Sequence, residues 1–295
     1  LISVVIPVRT GAATETATAA ATVSDALAGP ADEIVLAVSR EDRSARMVEA
    51  SAEANGRVRA VVLEGRRSVP QLRLAGLLES RGDVVAFTED HCRLAPGWPE
   101  PLAEALQDEQ VGVAGGPVPN RRNGSMVDRA IYASRYAAFA PPVAAGDAVA
   151  LPGTSIAYRR ETLDQFLGAE ESGLWEHELN LRITAAGLRQ VMVPEAWASH
   201  GKPYRLGAYC ALRMRHGRCY AGRRRDEGAS VTQALRAPLL PGLLTARTLR
   251  QSAGKVAWSD LAFEAPVLGM IHSAWALGEL IGYLRGSGPS CSETD

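Results

Sequence analysis

The chain has 295 residues, enough to bury a large core as one extended domain or as one domain with an appendage. Its net charge of −1 gives no overall pull toward nucleic acid or toward acidic partners. Cys92, Cys210, Cys219 and Cys291 show no C-x-x-C spacing, which argues against a zinc site; a disulfide framework is not expected at this length, and a reducing compartment is the simpler inference.

Residues 2–6 form a near-continuous apolar run closed by Pro7, the pattern of a central parallel strand. The run lacks a basic flank and a cleavage site, so it reads as a first strand and not as a signal peptide. Residues 12–28 are alanine-rich and predict a helix ending near Gly29-Pro30. Residues 33–38 predict a second strand, with Ser39-Arg40-Glu41-Asp42 supplying capping chemistry for the helix that follows. Residues 58–63 predict a third strand and 71–80 a helix. This alternation argues for a doubly wound α/β sheet.

The stretch around which the chain is organised comes next. Val84 to Phe87 are four apolar residues in a row, a short strand buried on both faces. It ends abruptly in Thr88-Glu89-Asp90-His91, whose oxygen and nitrogen atoms cannot be buried without partners. In an open parallel sheet the carboxyl ends of the strands face the ligand crevice. Two adjacent carboxylates there suit a hard divalent ion that also grips phosphates; a solvated turn with an acidic cap is the plain alternative.

Beyond it, 98–107 predicts a helix, 111–118 a strand containing Gly115-Gly116, and 120–124 a polar loop. Residues 141–146, with two prolines and little to pack, read as a mobile segment. Residues 153–160 read as a strand running into a helix. In 175–187, Leu179 with Ile183 and Glu178 with Arg182 lie four apart on a helix that Gly187 stops. Glu176 sits in its first turn, where the helix dipole favours a carboxylate. A strand over 190–193 leads to Pro194-Glu195-Ala196 and His200.

These segments, in this order, resemble a family 2 glycosyltransferase of the GT-A fold. The matching pieces are Ser3-Val4-Val5-Ile6-Pro7, Glu33-Ile34-Val35, Arg73 with Gly76, Phe87-Thr88-Glu89-Asp90 with Pro96-Gly97-Trp98, 153–160, the 175–187 helix, and Pro194-Glu195-Ala196 with His200. The resemblance covers residues 2–200 and implies a mixed doubly wound sheet flanked by helices. It implies transfer of a sugar from a nucleotide-diphosphate donor to a hydroxyl, with inversion and with Mg2+ or Mn2+. Carried over residue by residue, it gives Asp90, Glu89 and His200 to the metal, and Glu176 to the catalytic base with Glu178 in reserve. Pro7, Arg9, Ser39, Arg73, Glu89 and Gly153 fall to the nucleotide sugar. The chain departs from the family at Thr88, where an aspartate is usual, at Trp175-Glu176 in place of Glu-Asp, at Val38-Ser39, and at Leu74.

Two other readings compete. A sugar-1-phosphate nucleotidyltransferase wants a glycine-rich loop after the first strand, where Arg9-Thr10-Gly11-Ala12-Ala13 has one glycine. A catalytically weak scaffold that binds a glycan or a protein draws support from Thr88 and Trp175. Loops 119–126 and 139–150 would set the choice of sugar, base and acceptor, the acceptor being a glycan, a lipid-linked molecule or a small molecule.

Residues 202–225 carry Lys202 and seven arginines with no acidic residue, an attraction for phosphates or an anionic membrane surface; nucleic acid is not expected, since no supporting module is present. Residues 265–278 are uncharged but shorter than the ~20 residues of a spanning helix, and suggest interfacial or re-entrant packing. The expected domains are thus 1–200, catalytic; 201–285, a basic and apolar helical region packed on the protein, on a dimer mate or on the cytoplasmic face of a membrane; and 286–295, a disordered tail.

Overall fold

A computed structural model describes residues 1–9, 13–121, 125–167, 173–202 and 204–291. The chain folds as two compact units: Leu1–Arg121 with Pro141–Lys202, and Arg122–Ala140 with Pro203–Asp295. The division falls after Lys202, and 122–140 belongs with the second unit. Thr10 to Ala12 of the loop weighed above, the middle of the 119–126 loop and the last four residues lie outside the described residues.

In the first unit, the strands β1 (Ile2–Val8), β2 (Glu33–Ser39), β3 (Val58–Leu63), β4 (Val84–Thr88), β6 (Val111–Gly115), β7 (Gly146–Asp147), β8 (Ser155–Arg159) and β9 (Arg189–Met192) form one mixed sheet. Their order is β3-β2-β1-β4-β8-β6-β9-β7. Strand β1 runs parallel to both β2 and β4, whereas β8 is antiparallel to β4 and β6. The chain winds outward from β1 to β3 and then returns to β1's other side with β4, which makes the β1/β4 boundary the topological switch point. A second, two-stranded sheet pairs β5 (Cys92–Leu94) with β10 (Ala198–His200). The core of this unit is built on Val4, Ile6, Ile34, Leu36, Ala86, Trp98 and Leu102, all at most 1% exposed.

Helices α1 (Ala13–Ala28), α2 (Ala45–Ala54), α3 (Val69–Glu79), α4 (Pro99–Ala105), α6 (Arg160–Phe166) and α7 (Glu176–Ala185) complete the unit. The capping chemistry read at residues 39–42 does not start α2; the helix begins after Ser44, and Ser39 is still in β2. Helix α3 starts at a capping box of Ser68 and Gln71. Gly76 lets it settle on β1, since a Cβ there would lie 2.5 Å from Val5 Cγ1. Trp98 Nε1 donates to Ser155 Oγ at 2.9 Å, which donates to the Ala196 carbonyl at 2.6 Å, so one buried indole ties α4 to β8 and to the loop before β10. The short edge strand β7 begins at Gly146, the last residue of the stretch read as mobile.

In the second unit, α5 (Met126–Tyr136), α8 (Leu206–Asp226), α9 (Leu240–Ser252) and α10 (Trp258–Arg285) pack around Ile131, Tyr209, Leu212, Val267, Leu268 and Ile271. Two features here were not read from the sequence. The uncharged run at 265–278 is the middle of one continuous 28-residue helix, α10, which accommodates Pro266 and its flanking charges. The tail is pinned through residue 291: Cys219 and Cys291 form a disulfide across 72 residues, which removes the thiol argument for a reducing compartment from these two cysteines. Cys291 thereby anchors residues 286–291 of the stretch that composition read as disordered.

His272 on α10 is buried and pairs with Thr245 at 3.0 Å. Burial, with Arg213 nearby, pulls its pKa down from 6.5 to about 4, so the fold holds it neutral while the unfolded chain protonates first. Its contribution to stability is therefore complete above pH 6.5 and lost progressively as the pH falls toward 4. Thermal unfolding across that range is expected to show this slope, and His272→Gln to flatten it.

Candidate active site

The sheet delivers its functional side chains to the carboxyl ends of β1, β2 and β4. At the switch point the Arg9 backbone N–H, just past β1, donates to Asp90 Oδ2 at 2.7 Å. The Thr22 hydroxyl on α1 lies 3.0 and 2.6 Å from the carbonyl oxygens of Asp90 and Cys92, shares its one proton between them, and ties the turn after β4 to the helix. Asp90 is thus fixed by backbone and helix before any ligand arrives. Burial pushes the Cys92 thiol up, so the cysteine in this turn is not a nucleophile at neutral pH.

His91 completes this corner. Its ring nitrogens lie 3.0 Å from Asp90 Oδ1 and 3.1 Å from Glu89 Oε2. Burial alone would lower the pKa of His91, but the bonds to Asp90 and Glu89 prevail and raise it above 6.5. The buried His200 ring on β10 packs edge-on against His91, with centroids 4.8 Å apart. Arg121 clasps the pair, its N–H donating to the His200 carbonyl and its guanidinium to the His91 carbonyl, at 3.1 and 3.3 Å.

Arg73 carries the other half. Its side chain is 3% exposed and reaches three groups from distant parts of the chain. Nη2 lies 3.2 Å from Glu89 Oε1 and donates to the Gly153 carbonyl at 3.0 Å; Nη1 lies 2.5 Å from Glu176 Oε2. Burial works against the charge, but Glu176 and Glu89 overcome it and the guanidinium stays protonated. Gly153 leaves room for this pairing: a Cβ there would sit 2.2 Å from Glu176 Oε1 and 3.0 Å from Arg73 Nη1, and the Glu176 carboxylate would have to shift.

Helix α7 is aimed at Arg73 by two anchors. The Leu174 N–H donates to the Pro70 carbonyl at the start of α3, at 2.8 Å, and the Tyr158 hydroxyl donates to Asn180 Oδ1 at 2.7 Å. Glu176, at the first position of α7, keeps 28% of its side chain open to solvent. Glu178 lies two residues on, roughly 200° around the helix, and cannot share that direction.

The predicted residues therefore fall into two linked groups. Arg73, Glu89, Gly153 and Glu176 share one ion-pair network; Arg9, Asp90 and His200 surround the histidine corner. Pro7 lies within β1 opposite Ala37, and Ser39 ends β2, its hydroxyl accepting from the Arg67 N–H at 3.0 Å. Both stand at the same end of the sheet, but neither has a direct bond to these groups among the described residues. His91, Arg121 and Thr22 were not among the predicted site residues. His91 was in the organising stretch and could have been chosen for its place between two carboxylates and β5; nothing in the spacing points to Arg121 or Thr22. No group of three or more His, Cys, Asp or Glu side chains among the described residues is already arranged as a metal cage.

Comparison with known proteins gives the family and the fold. The family model described as "Glycosyltransferase like family 2" matches residues 2–219. A curated relative from Caenorhabditis elegans, a probable N-acetylgalactosaminyltransferase 9, is 33% identical over 58 residues, 20% of this chain and 10% of that protein's length. Among solved structures, a mannosyltransferase from Pyrobaculum calidifontis, in complex with GDP-Man and Mn2+, superposes over 96% of this chain and 87% of its own, with a TM-score of 0.57 and 17% identity. GalNAc-T7 with UDP, GalNAc and Mn2+ superposes over 69% of this chain and 45% of its own, with a TM-score of 0.50 and 19% identity. At such identities the two structures speak for the fold.

Removing Arg73 would leave Glu176 without its buried counter-charge and Glu89 with His91. Arg73→Met is expected to destabilise the protein by about 2–4 kcal/mol, less than for a fully enclosed pair because Glu176 is partly solvated. Adding Glu176→Gln should recover part of that loss. Urea denaturation of the two single variants and the double variant measures the coupling.

Proposed function

The chain belongs to glycosyltransferase-like family 2, and on that premise we propose that it moves a sugar from a nucleotide-diphosphate donor to an acceptor hydroxyl with inversion at the anomeric carbon. The observation that carries the reading is the Arg73 bridge between Glu89, beside the acidic corner after β4, and Glu176 at the head of α7. It links a place for the leaving diphosphate to a partly solvated carboxylate.

The donor's nucleotide lies along the ends of β1 and β2, against Pro7, Arg9 and Ser39, with its diphosphate at the switch point. The corner there offers carboxylate oxygens, the donors of a hard divalent ion that takes its other ligands from phosphate and water, with the His200 ring nearby. Asp90, with Glu89 or His200, would hold Mg2+ or Mn2+, which supplies charge neutralisation to the departing diphosphate. Thr154 Oγ1, next to Gly153, is buried without a hydrogen-bond partner among the described residues, as befits a group completed by a ligand or an ordered water.

On the opposite side of the sugar, Glu176 takes the proton of the acceptor hydroxyl as its oxygen bonds to the anomeric carbon and the bond to the diphosphate breaks. Arg73 grips Oε2 and leaves Oε1, beside Gly153, as the proton acceptor. Holding a carboxylate base in one orientation spares its reorganisation during the reaction. The acceptor is a hydroxyl of a glycan, a lipid-linked molecule or a small molecule.

Glu176→Gln keeps the shape of the side chain and removes the base. Turnover is expected to fall by about 10²–10⁴-fold while donor binding survives. Steady-state rates with a panel of nucleotide sugars and Mn2+, beside calorimetric donor binding, test this. Unchanged turnover removes Glu176 from the role, and donor binding without turnover in the unaltered protein favours the scaffold reading.

A further inference from the structure

The second unit carries a surface that sugar transfer does not explain. On α10, Phe263, Met270, Leu277 and Leu284 are 68%, 50%, 49% and 55% exposed. They recur at every seventh residue, so they drift only about 20° per repeat and stay on one side of the helix. The stripe runs roughly 32 Å along the axis. The other side of α10 is buried within its own unit through Leu261, Val267, Leu268, Ile271, Ala276 and Tyr283. Leu235, Leu239 and Leu243, at and before the start of α9, add further exposed apolar side chains at a four-residue spacing. Isolated surface leucines need no explanation, but a continuous row of large apolar residues on one helix does.

Charge identifies the occupant. The second unit holds fifteen Lys and Arg against eight Asp and Glu, net +7; the first holds seventeen against twenty-five, net −8, and the two add to the −1 of the whole chain. Arg224, Arg225, Arg236, Arg247, Arg250 and Arg285 are all exposed on the basic unit. Two copies meeting through this unit would bring like charges together, which disfavours a dimer at this face. Nucleic acid would satisfy the arginines and leave the apolar row in water. A bilayer rich in anionic lipid satisfies both at once, since its headgroups attract the cations and its acyl boundary takes the apolar side chains.

Helix α10 is long and apolar enough to cross a bilayer by length and composition. With one side committed to the core of its own unit, however, it can offer a membrane only the other. We infer that the second unit is a membrane-docking module that lays the Phe263–Met270–Leu277–Leu284 side of α10 into the interface of an anionic bilayer. It would keep the chain on the surface and not through it. The inference stands apart from the identity of the donor, and a failure of either leaves the other intact.

The test is co-sedimentation of the full chain with phosphatidylcholine vesicles and with vesicles containing about one-third phosphatidylglycerol, at low and high salt. The chain is expected to bind the anionic vesicles at low salt and to be weakened by salt. Met270→Glu with Leu277→Glu is expected to reduce binding about tenfold or more, with an unchanged circular-dichroism melt, because both side chains already face water. Should that pair disturb folding, Phe263→Ser, near the start of α10, carries the same expectation. No binding to anionic vesicles at low salt overturns the proposal, as does binding that ignores both the substitutions and the lipid charge. Light scattering without lipid that shows the unaltered chain as a dimer and the double variant as a monomer would overturn it too, by assigning the row to a second copy.

Discussion

A single guanidinium holds the two halves of this site together. Arg73 is almost wholly buried, and it survives as a cation because Glu89 and Glu176 lie within ion-pair distance on two sides. The carboxylates come from the turn after β4 and from the head of α7, nearly ninety residues apart in sequence. Without the cation they would repel each other. With it, the acidic corner and the α7 carboxylate are set at a fixed separation in a low-dielectric place, where such fixed charges act most strongly. Gly76 and Gly153 serve this arrangement: one lets α3 settle on β1, and the other clears the space that Arg73 and Glu176 occupy.

The rest of the first unit reads as support for that placement. The return of the chain to β4 beside β1 puts Arg9 and Asp90 within hydrogen-bond distance across the switch point. Strand β8, antiparallel between β4 and β6, carries Tyr158, which anchors α7 through Asn180. The small sheet of β5 and β10 brings His200 to His91. None of these contacts supplies much energy alone. Their effect is geometric, and precise placement is what a transfer between two bound molecules requires.

Much of the fold could be read from the amino acids because the strands of a doubly wound sheet are buried on both faces, and their apolar runs stand out: 2–6, 33–38, 58–63 and 84–87 all became strands. The start of α2 was misread because Ser39 and Asp42 have capping side chains in a place where β2 had not yet ended. The site was legible as a set of residues and not as a network. Acidic residues after an apolar run announce a ligand-facing turn, but nothing local says that Arg73 will reach both Glu89 and Glu176, since that depends on how α3 and α7 cross the sheet. The C-terminal region was least legible. Its cysteines lie 72 residues apart, and their pairing follows from the packing of α8 against the chain end, which spacing does not encode. The continuity of α10 through Pro266 is likewise a product of packing that local propensity argues against.

On the proposed function, the corner after β4 receives a diphosphate together with a divalent cation. Isothermal titration of a nucleoside diphosphate into the protein, with Mn2+ and then with a chelator, and into Asp90→Ala with Mn2+, tests it most directly. Binding is expected to require both the cation and Asp90. Equal affinity in chelator, or in the Asp90→Ala protein, would contradict it.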